Sequence, residues 1–178
     1  VTRLDEICRT MIERAPFVVI STAHADGRQD VSPKGDAPGF VAILDEHTLA
    51  IPDRKGNNRL DGLENLLQNP NIGLLFIIPG YRETLRVNGK ARITTDPELC
   101  GRFAVQGKAP VTVTLVDVEE AFIHCGKALI RSKLWAAESQ VTKGDMPTPG
   151  QLFAMKDKTA DPAAVNERLE TNYREELY

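Results

Sequence analysis

Residues 83–95 read ETLRVNGKARITT, with apolar side chains alternating with polar ones along most of the stretch. That is the period of a half-buried strand, and Gly89 breaks it, which predicts one long strand bent at the glycine. Working back from it, residues 72–78 (IGLLFII) are a continuous apolar run. The run reads as a strand buried on both faces or a short buried helix, and the flanking Pro70 and Pro79-Gly80 favour the strand. Working forward, Asp96-Pro97 supplies an N-cap followed by proline at the first helical position, opening a short helix to Val105. Residues 111–118 and 119–125 then supply two more strands. Nearer the N-terminus, residues 17–22 (FVVIST) and 29–33 form a hairpin around Asp26-Gly27. Residues 40–44 and 48–52 form a second pair around Asp45-Glu46-His47. An amphipathic helix built on Leu4, Ile7, Cys8, Met11 and Ile12 opens the chain, and Ala15-Pro16 ends it. Six or seven strands joined by only short helices predict a mainly β fold, a closed antiparallel barrel with flanking helices and not a doubly wound sheet.

Composition narrows the function classes. The chain has 178 residues, is 42% hydrophobic and carries a formal net charge of −3, which suits one domain with a proper core. Mild acidity argues against a general nucleic-acid binder. Cys8, Cys100 and Cys125 are odd in number, form no CxxC pair and read as reduced thiols of a cytoplasmic protein. His24, His47 and His124 are scattered without a second ligand at metal spacing, which argues against a zinc site. No apolar run approaches the roughly 20 residues of a membrane span. The first residue is Val1 and not Met, so inspection leaves open an upstream segment, a signal peptide included. The tail changes character. Residues 142–160 hold Gly144, Pro147, Pro149 and Gly150 with few apolar anchors, and read as a loop or lid. Asp161-Pro162 then caps a last helix on which Val165, Leu169, Tyr173 and Leu177 recur every four residues.

The chemistry concentrates in IPDRKGNNRL, residues 51–60. The stretch leaves a strand, passes a glycine and enters a helix whose apolar stripe is Leu60, Leu63, Leu66 and Leu67. Arg54, Lys55 and Arg59 gather at the helix entrance, where unpaired N–H groups and the dipole favour a phosphate. Asn57 and Asn58 suit the N-cap, and Arg59 can offer a bidentate fork. The plain alternative is a solvated basic loop. Ser32-Pro33-Lys34-Gly35 ends a strand, where the lysine is either a surface charge or a fixed positive group beside a ligand. His124 and Cys125 are adjacent in a strand and face opposite ways, so core packing accounts for them better than a nucleophile pair. GxSxG, HExxH and GxxxxGK[ST] are all missing, and with them the hydrolase, metalloprotease and P-loop readings. Gly126 to Trp135 looks helical or turn-like and carries Lys127, Arg131 and Lys133.

Taken together, VSPKGDAPGF (31–40), IPDRKGNNRLD with NPNIGLLF (51–61 and 69–76), ETLRVNGKARI (83–93) and FIHCGKALIRSKLW (122–135) carry a resemblance. The chain resembles the pyridoxamine 5′-phosphate oxidase-like flavoproteins, the FMN-binding split barrels, and among them a bacterial subfamily of undefined substrate. The resemblance implies an FMN-dependent oxidoreductase, a homodimer with two FMN molecules in clefts between the barrels, and a small-molecule substrate. The chain as a whole is read as a barrel domain over residues 1–137, the N-terminal helix included, with residues 138–178 as a loop or lid and a helix packed on the same domain. By position, Lys34 matches the lysine near the flavin ring, where a positive group stabilises the anionic reduced form, and Ser32 adds polar contacts. Asn57, Asn58 and Arg59 match the phosphate-binding loop and helix start, with Arg54 as a helper. Thr84 matches a polar strand position against the flavin, and Lys127 and Arg131 would come from the other subunit.

Pyridoxamine phosphate oxidases carry an R-L-H-x-R type segment near the C-terminus for the substrate phosphate, where this chain has KALIRSKLW. That departure argues against vitamin B6 oxidation and leaves FMN binding intact. Two other readings stay open at this level. One is a non-catalytic flavin or haem-binding module, with His124 the strand-embedded candidate ligand, and the other is a reductase using deazaflavin (F420).

Overall fold

A computed structural model describes residues 1–56, 59–142 and 144–178. Asp5 caps helix α1 (Glu6–Arg14), accepting the Cys8 N–H at 2.8 Å. Cys8, Met11 and Ile12 turn inward as their spacing predicts, while Ile7 stays exposed. Strands β1 (Phe17–Ala23) and β2 (Gln29–Gly35) form the expected hairpin. It turns at Gly27, whose φ of 90° lies in the region open to glycine. The next pair is β3 (Ala42–Ile43) and β4 (Thr48–Pro52). β3 is shorter than residues 40–44 because Phe40 and Val41 go straight into the core. There follow α2 (Asp61–Gln68), β5 (Asn71–Ile77), β6 (Thr84–Thr94), α3 (Pro97–Arg102), β7 (Val113–His124) and α4 (Lys127–Arg131). Asp96 and Pro97 start α3 as read from the sequence, although it ends at Arg102 and not Val105.

Every neighbouring pair is antiparallel, in the order β2-β1-β5-β6-β7-β4-β3. One core is filled from strands at both ends of that order: Val18 and Ile20 of β1, Leu74 and Phe76 of β5, Leu85 and Val87 of β6, Val116 of β7, Leu49 and Ile51 of β4. The sheet is therefore curled. Burying a side chain such as Phe76 fully contributes roughly 1.5–3 kcal/mol, which is what closes the curl. Among the described residues no backbone ladder joins β2 to β3 or β4, so the barrel is split along that seam and not fully closed.

Several sequence expectations change. The two strands expected over residues 111–118 and 119–125 are one, β7. No turn signal separates them, and Glu119 is the extra residue of a bulge, since Asn88 pairs with Glu120 and Gly89 with Val118. β5 alternates between buried Ile72, Leu74 and Phe76 and half-buried neighbours, so one face and not both is sealed. In α2 the buried pair is Asn65 and Leu66, while Leu60 and Leu67 of the expected stripe are 54% and 77% exposed. Cys125 is exposed and does not pack in the core.

Cys8 and Cys100 are buried, and burial, helped by the Asp5 carboxylate, pushes the Cys8 thiol up to about 11. A thiol reagent at pH 8 should therefore titrate Cys125 quickly in the folded protein and the other two only in denaturant. A second thiol reacting as fast as the first would contradict this packing.

Contacts divide the described residues into two units, Val1–Trp135 and Ala136–Tyr178. Within the second, residues 142–160 are not all loop. Helix α5 (Pro149–Lys156) starts on a Thr148–Gln151 capping box, and α6 (Pro162–Glu175) starts on Asp161. Gly150 lets them meet: a Cβ there would lie 2.1 Å from the Pro162 carbonyl oxygen. Asn166 accepts from the Gly150 N–H at 2.7 Å and donates to Thr148 Oγ1 at 3.0 Å. No described helix is long and apolar enough to cross a membrane.

Candidate functional site

The seam of the barrel is bridged by side chains. Lys34, near the end of β2, places Nζ 3.0 Å from Oδ1 of Asp53, the residue after β4. Arg54 Nε lies 2.7 Å from Asp36 Oδ2, and Arg54 Nη1 donates to the Phe103 carbonyl at 2.7 Å. Asp36 also accepts the Ala37 N–H at 2.7 Å. The side chains of this second pair are only 4% (Asp36) and 17% (Arg54) exposed, against 34% and 31% for Lys34 and Asp53. Arg54 thus ties β4 to the chain just after α3. The sequence reading, which made it a phosphate helper, does not foresee that tie.

Beside the seam lies a cavity of about 560 Å³. Its polar lining includes Ser32, Lys34, Asp53, Arg54, Lys55 and Arg59, and Ile20, Ile51, Leu66 and Ile72 form apolar wall. The volume is that of a pocket for a small molecule or cofactor. The first turn of α2 also faces it through Asp61, Gly62 and Leu63. Among the described residues, the N-cap position of α2 is Leu60, which makes no side-chain cap hydrogen bond. Asn57 and Asn58, expected at this cap, lie outside the described residues. Arg59 Nε is 2.8 Å from Asp61 Oδ2 in a pair that is 73% and 47% exposed. Such surface pairs contribute about 0–1 kcal/mol. Behind this turn, Asn65 Nδ2 donates to Thr22 Oγ1 at 3.0 Å and fixes α2 on β1.

Four residues chosen from the sequence, Ser32, Lys34, Arg54 and Arg59, thus come together. Three do not join them within one chain. Thr84 is buried at the other end of β6, opposite His124. It is five residues from Gly89, the partner of the lining residue Ile72, or about 17 Å at the rise of a strand. Lys127 and Arg131 are exposed on α4. That helix is held against the turn before β6. Trp135 Nε1 donates to the Tyr81 carbonyl at 2.8 Å, and a Cβ on Gly126 would meet the Arg82 Cβ at 2.7 Å. Sequence reasoning missed Asp36 and Asp53. Each stands next to a cationic stretch, PKGD and PDRK, and that alternation of sign was the only signal available.

The outward face of the sheet carries Phe17, Val31 and Phe122, exposed at 38%, 63% and 50%, and Val31 also lines the cavity. Arg86 lies over the Phe122 ring at 5.4 Å, and Glu120 accepts from both Arg86 and Asn88 at 3.0 Å. His124 meets Phe122 edge-on with centroids 5.2 Å apart.

Residues 4–125 match the family model described as pyridoxamine 5′-phosphate oxidase. No curated protein matches the chain. Among solved structures, HupZ of Group A Streptococcus is similar with 18% identity, a TM-score of 0.55, and 67% of this chain and 92% of that one covered. A Lactobacillus delbrueckii protein presented as a candidate pyridoxamine 5′-phosphate oxidase aligns with 21% identity, a TM-score of 0.54 and coverage of 68% and 95%. A Clostridium acetobutylicum protein related to general stress protein 26, of the pyridoxinephosphate oxidase family, aligns with 15% identity, a TM-score of 0.50 and coverage of 66% and 84%. At these identities the structures share the split-barrel fold and carry no more.

Proposed function

The chain belongs to the pyridoxamine 5′-phosphate oxidase family, and from that premise we propose that it is an FMN-dependent oxidoreductase acting on a small molecule. The observation that carries the reading is the cavity: Lys55, Arg59 and a helix start without a side-chain cap line the same space as Ser32 and Lys34. FMN, when bound, supplies hydride or electron transfer at its ring system, and the protein supplies position and electrostatics. Here Arg59, Lys55 and the first N–H groups of α2 would take the phosphate. Ile20, Ile51, Leu66 and Ile72 would exclude water, and Ser32 and Lys34 would offer donors. A charge-assisted hydrogen bond contributes roughly 1.5–3 kcal/mol, more than an exposed pair such as Arg59–Asp61 contributes.

A homodimer belongs to the same proposal. The uncovered apolar face around Phe17, Val31 and Phe122 favours a second copy. The exposed Lys127 and Arg131 on the pinned helix α4 would then reach the partner's cavity, and Thr84 would contribute from its own strand.

The visible spectrum of the purified protein, with identification of the released ligand, tests the cofactor. Flavin bands with FMN released support the reading. A Soret band would replace it with a haem protein, the reading that half-buried His124 would serve, and a released deazaflavin would replace FMN as the cofactor. Arg59→Ala should weaken FMN binding by about ten- to a hundredfold with little change in unfolding midpoint. Unchanged affinity in that variant would remove Arg59 from the phosphate site.

A further inference from the structure

Resting on the FMN reading of the cavity, we propose that Asp53 is a positioning residue, holding the Lys34 ammonium in place and cancelling its charge toward the ligand. Both partners are clamped by the sheet. Lys34 sits in the β1–β2 ladder opposite Val18. Asp53 follows the last residue of β4, and its N–H donates to the Thr112 carbonyl at 3.0 Å. The strands thus fix the two backbones from which the 3.0 Å contact is made, and both residues line the cavity.

The neighbouring pair has the opposite polarity. β2 offers the cation Lys34 and, just past its end, the anion Asp36, while the chain after β4 offers the anion Asp53 and then the cation Arg54. The two bridges together add no net charge at the seam. Lys55, Arg59 and the start of α2 line the same cavity beyond the two bridges, and the Arg59–Asp61 pair there is exposed. Lys34 then acts as the hydrogen-bond donor of a neutral pair. A ligand with one anionic end and an uncharged body matches this division, whereas a lone Lys34 would favour added negative charge throughout the cavity.

The test is the midpoint potential of FMN bound to the holoprotein, by dye equilibration, in wild type, Asp53→Asn, Lys34→Met and the double variant. Removing the Asp53 charge should strengthen binding of reduced over oxidised FMN roughly tenfold, the scale of one partly screened charge nearby. For a two-electron couple that is about 30 mV upward. Lys34→Met should move the potential the other way, and the double variant should return close to wild type. A merely structural bridge would change stability without these opposite shifts. Equal potentials in wild type and Asp53→Asn overturn the role of Asp53. If that variant does not fold, an unshifted potential in Lys34→Met does the same. A wild-type protein that binds no FMN overturns the cofactor reading itself, and this role with it.

Discussion

Gly89→Ala should cost about 3 kcal/mol or more, at the top of the range for overpacking a well-filled site. A Cβ at Gly89 would stand 2.1 Å from the Asp117 carbonyl oxygen and 3.3 Å from a Val116 methyl. The obstacle is backbone, and it belongs to β7, the strand that pairs with β6 along its length. Neither strand can retreat without breaking the bulge at Asn88/Gly89 and disturbing Val87, Val116 and Val118 in the core. Against a typical total of roughly 5–15 kcal/mol, the variant should unfold at a much lower urea concentration or fail to accumulate. A midpoint within error of wild type would mean that the two strands do not approach as described. Gly101, which meets nothing within 4 Å, is the control, since alanine there should be tolerated.

Arg54→Ala should be the second large effect, a loss of about 3 kcal/mol, as for removal of one partner from a buried ion pair. The Asp36 carboxylate is only 4% exposed, and the substitution takes the guanidinium away from it. It also cuts the bond to the Phe103 carbonyl, which joins the seam to the segment after α3. Arg54 and Arg59 lie five positions apart, yet the two variants should separate. The first should lower the unfolding midpoint, and the second should lower FMN affinity at nearly constant stability. If Arg54→Ala keeps wild-type stability and loses only FMN, its place is in the phosphate site and not in the seam. Asp36→Asn should destabilise in the same direction as Arg54→Ala, because the charge is lost from the other side of the same pair.

Local chemistry was legible in the sequence. Asp96-Pro97 and Asp161-Pro162 started helices where expected, because a cap and a proline act on the residues beside them. Asp26-Gly27 turned the first hairpin for the same reason. Alternation identified β6, and the glycine within it lies at the register shift against β7. Misreadings arose where the answer depended on a distant partner. Glu119 looks like a strand boundary only until β6 is placed against it, since a bulge is a property of two strands. Leu67 looks like core by spacing, yet no part of Val1–Trp135 covers it.

The same division runs through the site. Strand-rich architecture, the helix after IPDRKGNNRL and the cationic candidates Lys34, Arg54 and Arg59 were legible in the sequence alone, because propensity, period and charge are carried by neighbouring residues. The tertiary structure decided which anions two of those cations meet. Lys34 meets Asp53 and Arg54 meets Asp36 across a seam with no shared backbone ladder. Those meetings exist because burial of one apolar core curls the two ends of the sheet together, and nothing in either strand's own sequence specifies what the other end will bring.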